Sequence, residues 1–185
     1  MASISIKANL SIKGINAAIQ QLDDYIDRLQ WKCEVFVNRL ADEGIAIAKQ
    51  NVFVEEDGVS LNRGNLVYFE KDVASSNIGA TCIVVPFSTP YITFWKKSAN
   101  GQEVLTAEVD PLLMAEFGSG AKAIDGHRGT FPNQKHANEG AWAWYDLGGT
   151  KHISTGQVPS RPIYKAKEAI VQKINDIAVE VFSTL

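Results

Sequence analysis

Few side chains in this sequence have the types and spacing that catalysis or metal binding requires. The three histidines, His127, His136 and His152, lie nine and sixteen residues apart and far from both cysteines. Zinc sites usually combine ligands at short, fixed spacing. The pattern therefore favours solvated loop histidines over a metal site, and no cofactor is expected.

Candidate nucleophiles are equally isolated. The segment Gly118-Ser119-Gly120 lacks the Gly-x-Ser-x-Gly pattern of a nucleophile elbow, and it also lacks the Gly-Lys-Ser/Thr ending of a phosphate-binding loop. Ser154 and Ser160 have no acid and base partners at a recognisable spacing, although a triad built from distant residues stays open. We expect a protein without catalytic residues.

The aromatic run around Trp142 and Trp144 is the most conspicuous part of the second half of the chain. The two tryptophans alternate with alanines, so in an extended segment both rings point to one side. They either cover the edge of a core or anchor a protein interface, where Trp, Tyr and Arg are favoured. Stacking on nucleic acid is a third possibility, because Lys151 and Arg161 lie nearby. The net charge of -3 argues against it.

Charge is unevenly distributed along the 185 residues, which we expect to form a single domain, 1-185. Between residues 16 and 57 there are nine acidic and four basic side chains, whereas between residues 121 and 173 there are eight basic and four acidic ones. Such polarity suits head-to-tail self-association, although it is also common by chance.

The cysteines and the N-terminal sequence indicate the cellular compartment in which the protein works. Cys33 and Cys82 occupy apolar positions and are expected to be small buried side chains without a disulfide. The alternating start of the chain does not resemble a signal peptide, and no apolar run approaches the roughly 20 residues of a membrane span. We expect a protein that is made and used in the cytoplasm, or carried out as part of something larger.

Apolar periodicity predicts two long helices. The first is expected from Ala17 to about Gln50, after a break at Gly14 and an N-cap at Asn16. Its apolar stripe either covers a sheet or forms a coiled-coil seam with another subunit. The second is expected from Arg161 to Phe182, with Pro162 in its first turn.

Between the helices the sequence predicts short strands and one irregular stretch. Asp110-Pro111 is expected to cap a short helix, Leu112 to Phe117, and the Gly- and Trp-rich residues 118-159 form a long irregular arm. The strand candidates are Ser3 to Ile6, Asn65 to Glu70, Ile78 to Val85, and a hairpin that pairs Tyr91–Lys97 with Glu103–Val109 around Ala99-Asn100-Gly101. The expected class is α+β, with the two long helices packed on a mainly antiparallel sheet.

Four segments, in this order, resemble a known family. Asn62-Arg63-Gly64-Asn65-Leu66 follows the first helix, where the family has an Asp-Thr-Gly-x-Leu turn. Glu116-Phe117-Gly118-Ser119-Gly120 is similar to its Glu-Phe-Gly-Thr-Gly signature. Gly140 to Tyr145 and Ser154 to Tyr164 match its Gly/Trp-rich loop and its Thr-x-Gly-x-Pro-x-Arg-Pro segment. The family is that of the minor tail, tail-completion or head–tail joining proteins of long-tailed bacteriophages. The chain departs from the family in lacking the Asp-Thr of the first turn and in carrying an added hairpin at Lys96 to Pro111.

The resemblance implies a non-catalytic structural protein of the virion. Relatives form rings, commonly hexameric, that end the tail tube and face the head connector. The implied partners are further copies of the chain, the tail tube protein and the head connector or stopper protein. No membrane is involved, and DNA only passes through the ring lumen. The implied location is the tail or head–tail junction of the virion, and the host cytoplasm during assembly.

Seven residues are the expected subunit-interface residues: Glu116, Phe117, Gly118, Trp142, Trp144, Tyr145 and Arg161. Fold maintenance is an equal alternative for Glu116, Gly118, Gly120 and Arg161. Other functions stay open at this stage: a minor capsid or connector component, a small hydrolase using a serine or histidine of the arm, and a DNA-binding module.

Overall fold

The computed structural model describes residue 6 and residues 11–56, 59–76, 79–89, 92–97, 100, 103–124, 142–145 and 151–183. Its elements in chain order are α1 (Ile12–Gln50), β1 (Phe53–Glu56), β2 (Val59–Asn62), β3 (Val67–Ser76), β4 (Gly79–Ser88), β5 (Ile92–Lys97), β6 (Glu103–Val109), α2 (Pro111–Phe117), β7 (Trp142–Tyr145), β8 (Lys151–Ser154) and α3 (Pro162–Phe182). The predicted α+β class, with long helices at both ends and antiparallel strands, is confirmed. The strand expected at Ser3 to Ile6 lies, apart from Ile6, outside the described residues.

The strands of the described residues form four separate two-stranded pairs: β1–β2, β3–β4, β5–β6 and β7–β8. Each pair joins strands that are consecutive in the sequence, and the β5–β6 hairpin predicted around the Asn-Gly turn is present with Ile92 opposite Val109. Its register shifts between Phe94 and Trp95, as happens where one strand carries an extra residue.

The first helix begins earlier than its periodicity predicts. The Ser11 hydroxyl accepts a hydrogen bond from the Gly14 backbone N–H at 3.1 Å and so caps the helix, which starts at Ile12. The expected N-cap at Asn16 and the expected break at Gly14 are therefore wrong. Gly14 lies in the first turn, where its backbone N–H is satisfied by the Ser11 hydroxyl, so the helix continues through it.

The chain separates into two compact units. Unit 1 comprises residues 1–43, 71–85 and 169–185, and unit 2 comprises residues 44–70 and 86–168. The prediction of a single domain stays a prediction.

Within unit 1, α3 lies along the second half of α1. Ion pairs join Arg39 to Glu180 and Glu43 to Lys173, and the Lys32 ammonium donates to the Val181 carbonyl at 2.7 Å. Cys82 of β4 and Cys33 of α1 are free thiols that are half-buried, so their burial is less complete than their apolar positions predict.

Unit 2 has a small apolar core. Val52, Val67, Leu112 and Ala115 are buried against one another, with Phe69 packed beside them. The core thus joins the start of β3 to one face of α2, and it holds α2 next to the segment that leads into α3. No helix in the described part of the chain is long and apolar enough to cross a membrane.

Candidate functional site

Two of the four segments that carry the family resemblance meet in one place in unit 2. Residues 116–120, at the end of α2, lie against residues 156–161, which lead into α3. Ser119 and Gln157 pair through their backbones, with N···O distances of 3.0 and 3.1 Å in the two directions. We call this arrangement, residues 115–120 with residues 156–164, the α2–α3 junction.

Glu116 is the charged centre of the junction. One carboxylate oxygen accepts from the backbone N–H of Ile163 at 2.7 Å, and the other accepts from that of Tyr164 at 3.2 Å. These N–H groups belong to the first turn of α3, where Pro162 removes one donor and the remaining donors need an acceptor from outside the helix. A negative charge at this helix end is also favoured by the helix dipole. Glu116 therefore caps a helix that begins 46 residues after it in the sequence.

Glycines allow the backbones of the junction to approach closely. Gly118 has φ +76°, and a Cβ there would lie 2.5 Å from the carbonyl oxygen of Gln157. Gly156 has φ +85°, and a Cβ there would lie 2.2 Å from the carbonyl oxygen of Ser119. Both positions require glycine for conformation and for space.

Buried polar side chains complete the junction. Gln157 is only 4% exposed, and its side-chain amide donates to the Phe53 carbonyl at 2.7 Å. The Ser160 hydroxyl donates to the Asn51 carbonyl at 2.7 Å, while the Ser119 hydroxyl accepts from the Gln157 N–H at 3.0 Å. Two of the three serine hydroxyls considered as nucleophiles, those of Ser119 and Ser160, are thus engaged with backbone groups.

The first resemblance segment, residues 62–66, caps the end of the other long helix. The Asn62 side-chain amide donates to the carbonyls of Lys49 at 3.3 Å and Gln50 at 2.8 Å, at the end of α1. Its oxygen accepts from the Gly64 N–H at 2.9 Å. A Cβ on Gly64 would lie 2.2 Å from the Lys49 carbonyl oxygen, so the turn can pass this helix end only with glycine there.

The predicted interface residues fall into three groups. Glu116, Phe117 and Gly118 lie in the junction, where Gly118 is buried and Glu116 bonds within the subunit. Arg161 is exposed, adopts φ +55°, and places its guanidinium carbon 3.8 Å from the centre of the Tyr164 ring. Trp142, Trp144 and Tyr145 lie in β7, and their side chains lie outside what the structure describes.

The segment expected to be an irregular arm, residues 118–159, contains strand pairing that the local sequence pattern does not predict. Strand β7 pairs antiparallel with β8, with Trp142 opposite Ser154 and Tyr145 opposite Lys151, and the arm's two ends pair through Ser119 and Gln157. The expectation of irregular backbone throughout residues 118–159 is therefore wrong at these places. Of the histidines, His152 lies in β8, while His127 and His136 lie outside the described residues.

Sequence reasoning missed the capping role of Asn62 and the buried amide of Gln157. Nothing in the local pattern marks Gln157, whose partners lie 43 and 104 residues away. Over the residues described, no group of three or more His, Cys, Asp or Glu side chains is placed to hold a metal ion.

Comparison with known proteins adds no relative: no family model, no curated protein and no solved structure matches the chain.

Proposed function

We propose that this protein is a non-catalytic structural component of a long-tailed bacteriophage virion. In this proposal it completes the tail or joins head to tail, as a ring of identical subunits that ends the tail tube. The tail tube protein and the head connector or stopper protein are its partners, and it resides at the head–tail junction after assembly in the host cytoplasm.

The α2–α3 junction is the observation on which this proposal rests. Residues 116–120 and 156–161 were linked to the phage family by their types and order alone. In the fold they contact each other directly, through the Ser119–Gln157 pairing and the Glu116 cap of α3. A chance match of separate short motifs would not require them to meet. Two of the four segments therefore form one structural unit, which supports the proposal.

The surface of unit 1 supports a role in assembly. On β4, the side chains of Ile83 and Val85 are 57% and 43% exposed, on the same face of the strand. On α3, Val171 and Val179 are 64% and 69% exposed. Exposed apolar side chains on two different elements would suit a ring, which needs two different contact patches on each subunit.

The proposal is tested by measuring assembly of the purified protein, alone and with a tail tube protein from the same genome. Native mass spectrometry and negative-stain electron microscopy are expected to show closed rings whose mass is a multiple of the 20.2 kDa subunit, about six subunits in the commonest form of the family. These rings are expected to bind one end of assembled tubes. A chain that stays monomeric at high concentration and leaves tube ends bare contradicts the proposal.

A further inference from the structure

The first half of α1 carries an apolar seam that is exposed to solvent. Its side chains recur at alternating intervals of three and four residues and are 39–81% exposed: Ile12, Ile15, Ile19, Leu22 and Ile26. The seam extends about 21 Å along the helix, at 1.5 Å per residue. An apolar stripe of this length marks a contact surface.

The spacing is that of a coiled coil. Ile12, Ile19 and Ile26 occupy the first apolar position of successive heptads, and the second position is filled by Ile15, Leu22 and Leu29. A repeat of 3.5 residues keeps the seam facing a partner helix along its whole length. The occupant that fits this surface is therefore another helix with the same repeat.

Further along α1, the same side of the helix is already occupied by α3 of the same chain. Three contacts define this pairing: Lys32 Nζ to the Val181 carbonyl at 2.7 Å, the Phe36 ring to the Phe182 ring at 5.7 Å between centroids, and the Glu43–Lys173 ion pair. From Lys32 to Glu43 of α1, the partner positions on α3 run from Val181 back to Lys173, so the helices are antiparallel. Helix α3 ends at Phe182, and the seam continues past that end to Ile12.

We infer that a second copy of this chain covers the open seam, with the two α1 helices antiparallel and related by a two-fold axis. In this arrangement, α1 of the second copy packs on the same side of α1 as α3 does, beyond the end of α3, and it runs in the same direction as α3. One register then pairs every seam position: Ile12 faces Leu29 of the second copy, Ile15 faces Ile26, and Ile19 faces Leu22. The helix needs no new nucleation, because its second half is already held by α3.

The residues that flank the seam fit this register. The flanking positions carry Asn16 and Asp23 on one side and Ala18 and Tyr25 on the other. In an antiparallel pair, Asp23 lies beside Asn16 of the second copy and Tyr25 lies beside Ala18, so no like charges face each other. The contact is separate from the head-to-tail contacts of a ring and does not rest on the proposed virion function.

The test is disulfide cross-linking in a chain whose two native cysteines are replaced, Cys33→Ala and Cys82→Ala. Ile15→Cys and Ile26→Cys are prepared as separate variants and oxidised alone and as an equal mixture. The antiparallel register predicts a cross-linked dimer in the mixture, distinguished by a tag on one variant, and little in either variant alone. Cross-linking of each variant with itself shows a parallel pair and overturns the inference, as does the absence of any cross-link.

A second substitution checks that the seam itself forms the contact. Adding Ile19→Asp to both cysteine variants is expected to lower the yield of the mixed dimer more than about tenfold, because a charge replaces a buried aliphatic group. Trp31→Asp is the matched control, because Trp31 is 60% exposed on the same helix but on the face away from the seam, and it is expected to change the yield less than about twofold. Equal effects of the two substitutions overturn the inference. These outcomes are independent of whether the protein assembles into virions.

Discussion

The carboxylate of Glu116, at the end of α2, accepts hydrogen bonds from the backbone N–H groups of Ile163 and Tyr164 at 2.7 and 3.2 Å. One acidic side chain thus caps α3 from a distant part of the sequence. The Glu-Phe-Gly element, which resembles a signature of phage tail proteins, has a definite structural task in this chain. It fixes the start of the C-terminal helix.

Removing this cap is expected to destabilise the fold. Glu116→Ala should lower the free energy of unfolding by about 1–2 kcal/mol, because two helix N–H groups lose a charged acceptor. Glu116→Gln keeps one acceptor oxygen without the charge and should cost about half as much. Urea unfolding followed by circular dichroism measures both values. Glu180→Gln is the control, since Glu180 forms an exposed ion pair with Arg39 that contributes about 0–1 kcal/mol. A Glu116→Ala protein as stable as this control contradicts the role of the cap.

The junction glycines should tolerate no side chain. Gly118→Ala and Gly156→Ala are each expected to cost more than about 2 kcal/mol, because each places a Cβ against a backbone carbonyl and forces a residue with a side chain to adopt positive φ. Gly79→Ala is the matched control: a Cβ there meets no atom within 4 Å. Thermal unfolding of the three variants measures the difference. Equal melting temperatures for all three would show that the two segments do not approach as described.

Asn62 provides a test of the first resemblance segment. Asn62→Ala should lower the free energy of unfolding by about 1–2 kcal/mol, because the last carbonyls of α1 lose the donors that Asn62 supplies. Amide hydrogens in the last turn of α1 should also exchange faster in Asn62→Ala than in the parent protein. Asn38→Ala is the control, because its amide donates to the Glu34 carbonyl of its own helix and, among the described residues, to no other element. If the two variants lose equal stability, the capping role is wrong.

The Cys82 thiol gives the fold a dependence on alkaline pH. Burial raises the pKa of Cys82 above its ordinary 9.0, with a smaller opposing effect of Lys71 and smaller raising effects of Asp42 and Asp72. A raised pKa in the folded state means that the contribution of the neutral thiol is fully present below pH 9 and is lost as the pH rises through the folded pKa. The free energy of unfolding should therefore fall more between pH 8 and pH 10 in the parent protein than in Cys82→Ala. Identical pH profiles would contradict this assignment.

Local pattern predicted the long helices because their stripes repeat over many turns, and it predicted the β5–β6 hairpin because Asn100-Gly101 marks a tight turn. Two local features, Gly14 and Asn16, misled the prediction at the start of α1. Gly14 suggested a break and Asn16 an N-cap, whereas Ser11 caps the helix and the helix continues through both residues.

The junction could not be predicted from local pattern, because the hydrogen bonds between its two segments join residues 38–48 positions apart. Local periodicity carries no information about such pairings. The side chains of Gln157 and Ser160 resemble ordinary loop residues until the fold places them among backbone carbonyls. For the same reason, the sequence showed that Glu116 is a candidate site residue but left open which partner it binds.

The most direct test of the proposed virion role is deletion of the gene from the genome that encodes this chain. Electron microscopy of the induced lysate is expected to show DNA-filled heads and separate tails, with loss of infectious particles and recovery when the intact chain is supplied from a plasmid. Complete, infectious virions in the absence of the protein would contradict a role in completing the tail or joining it to the head.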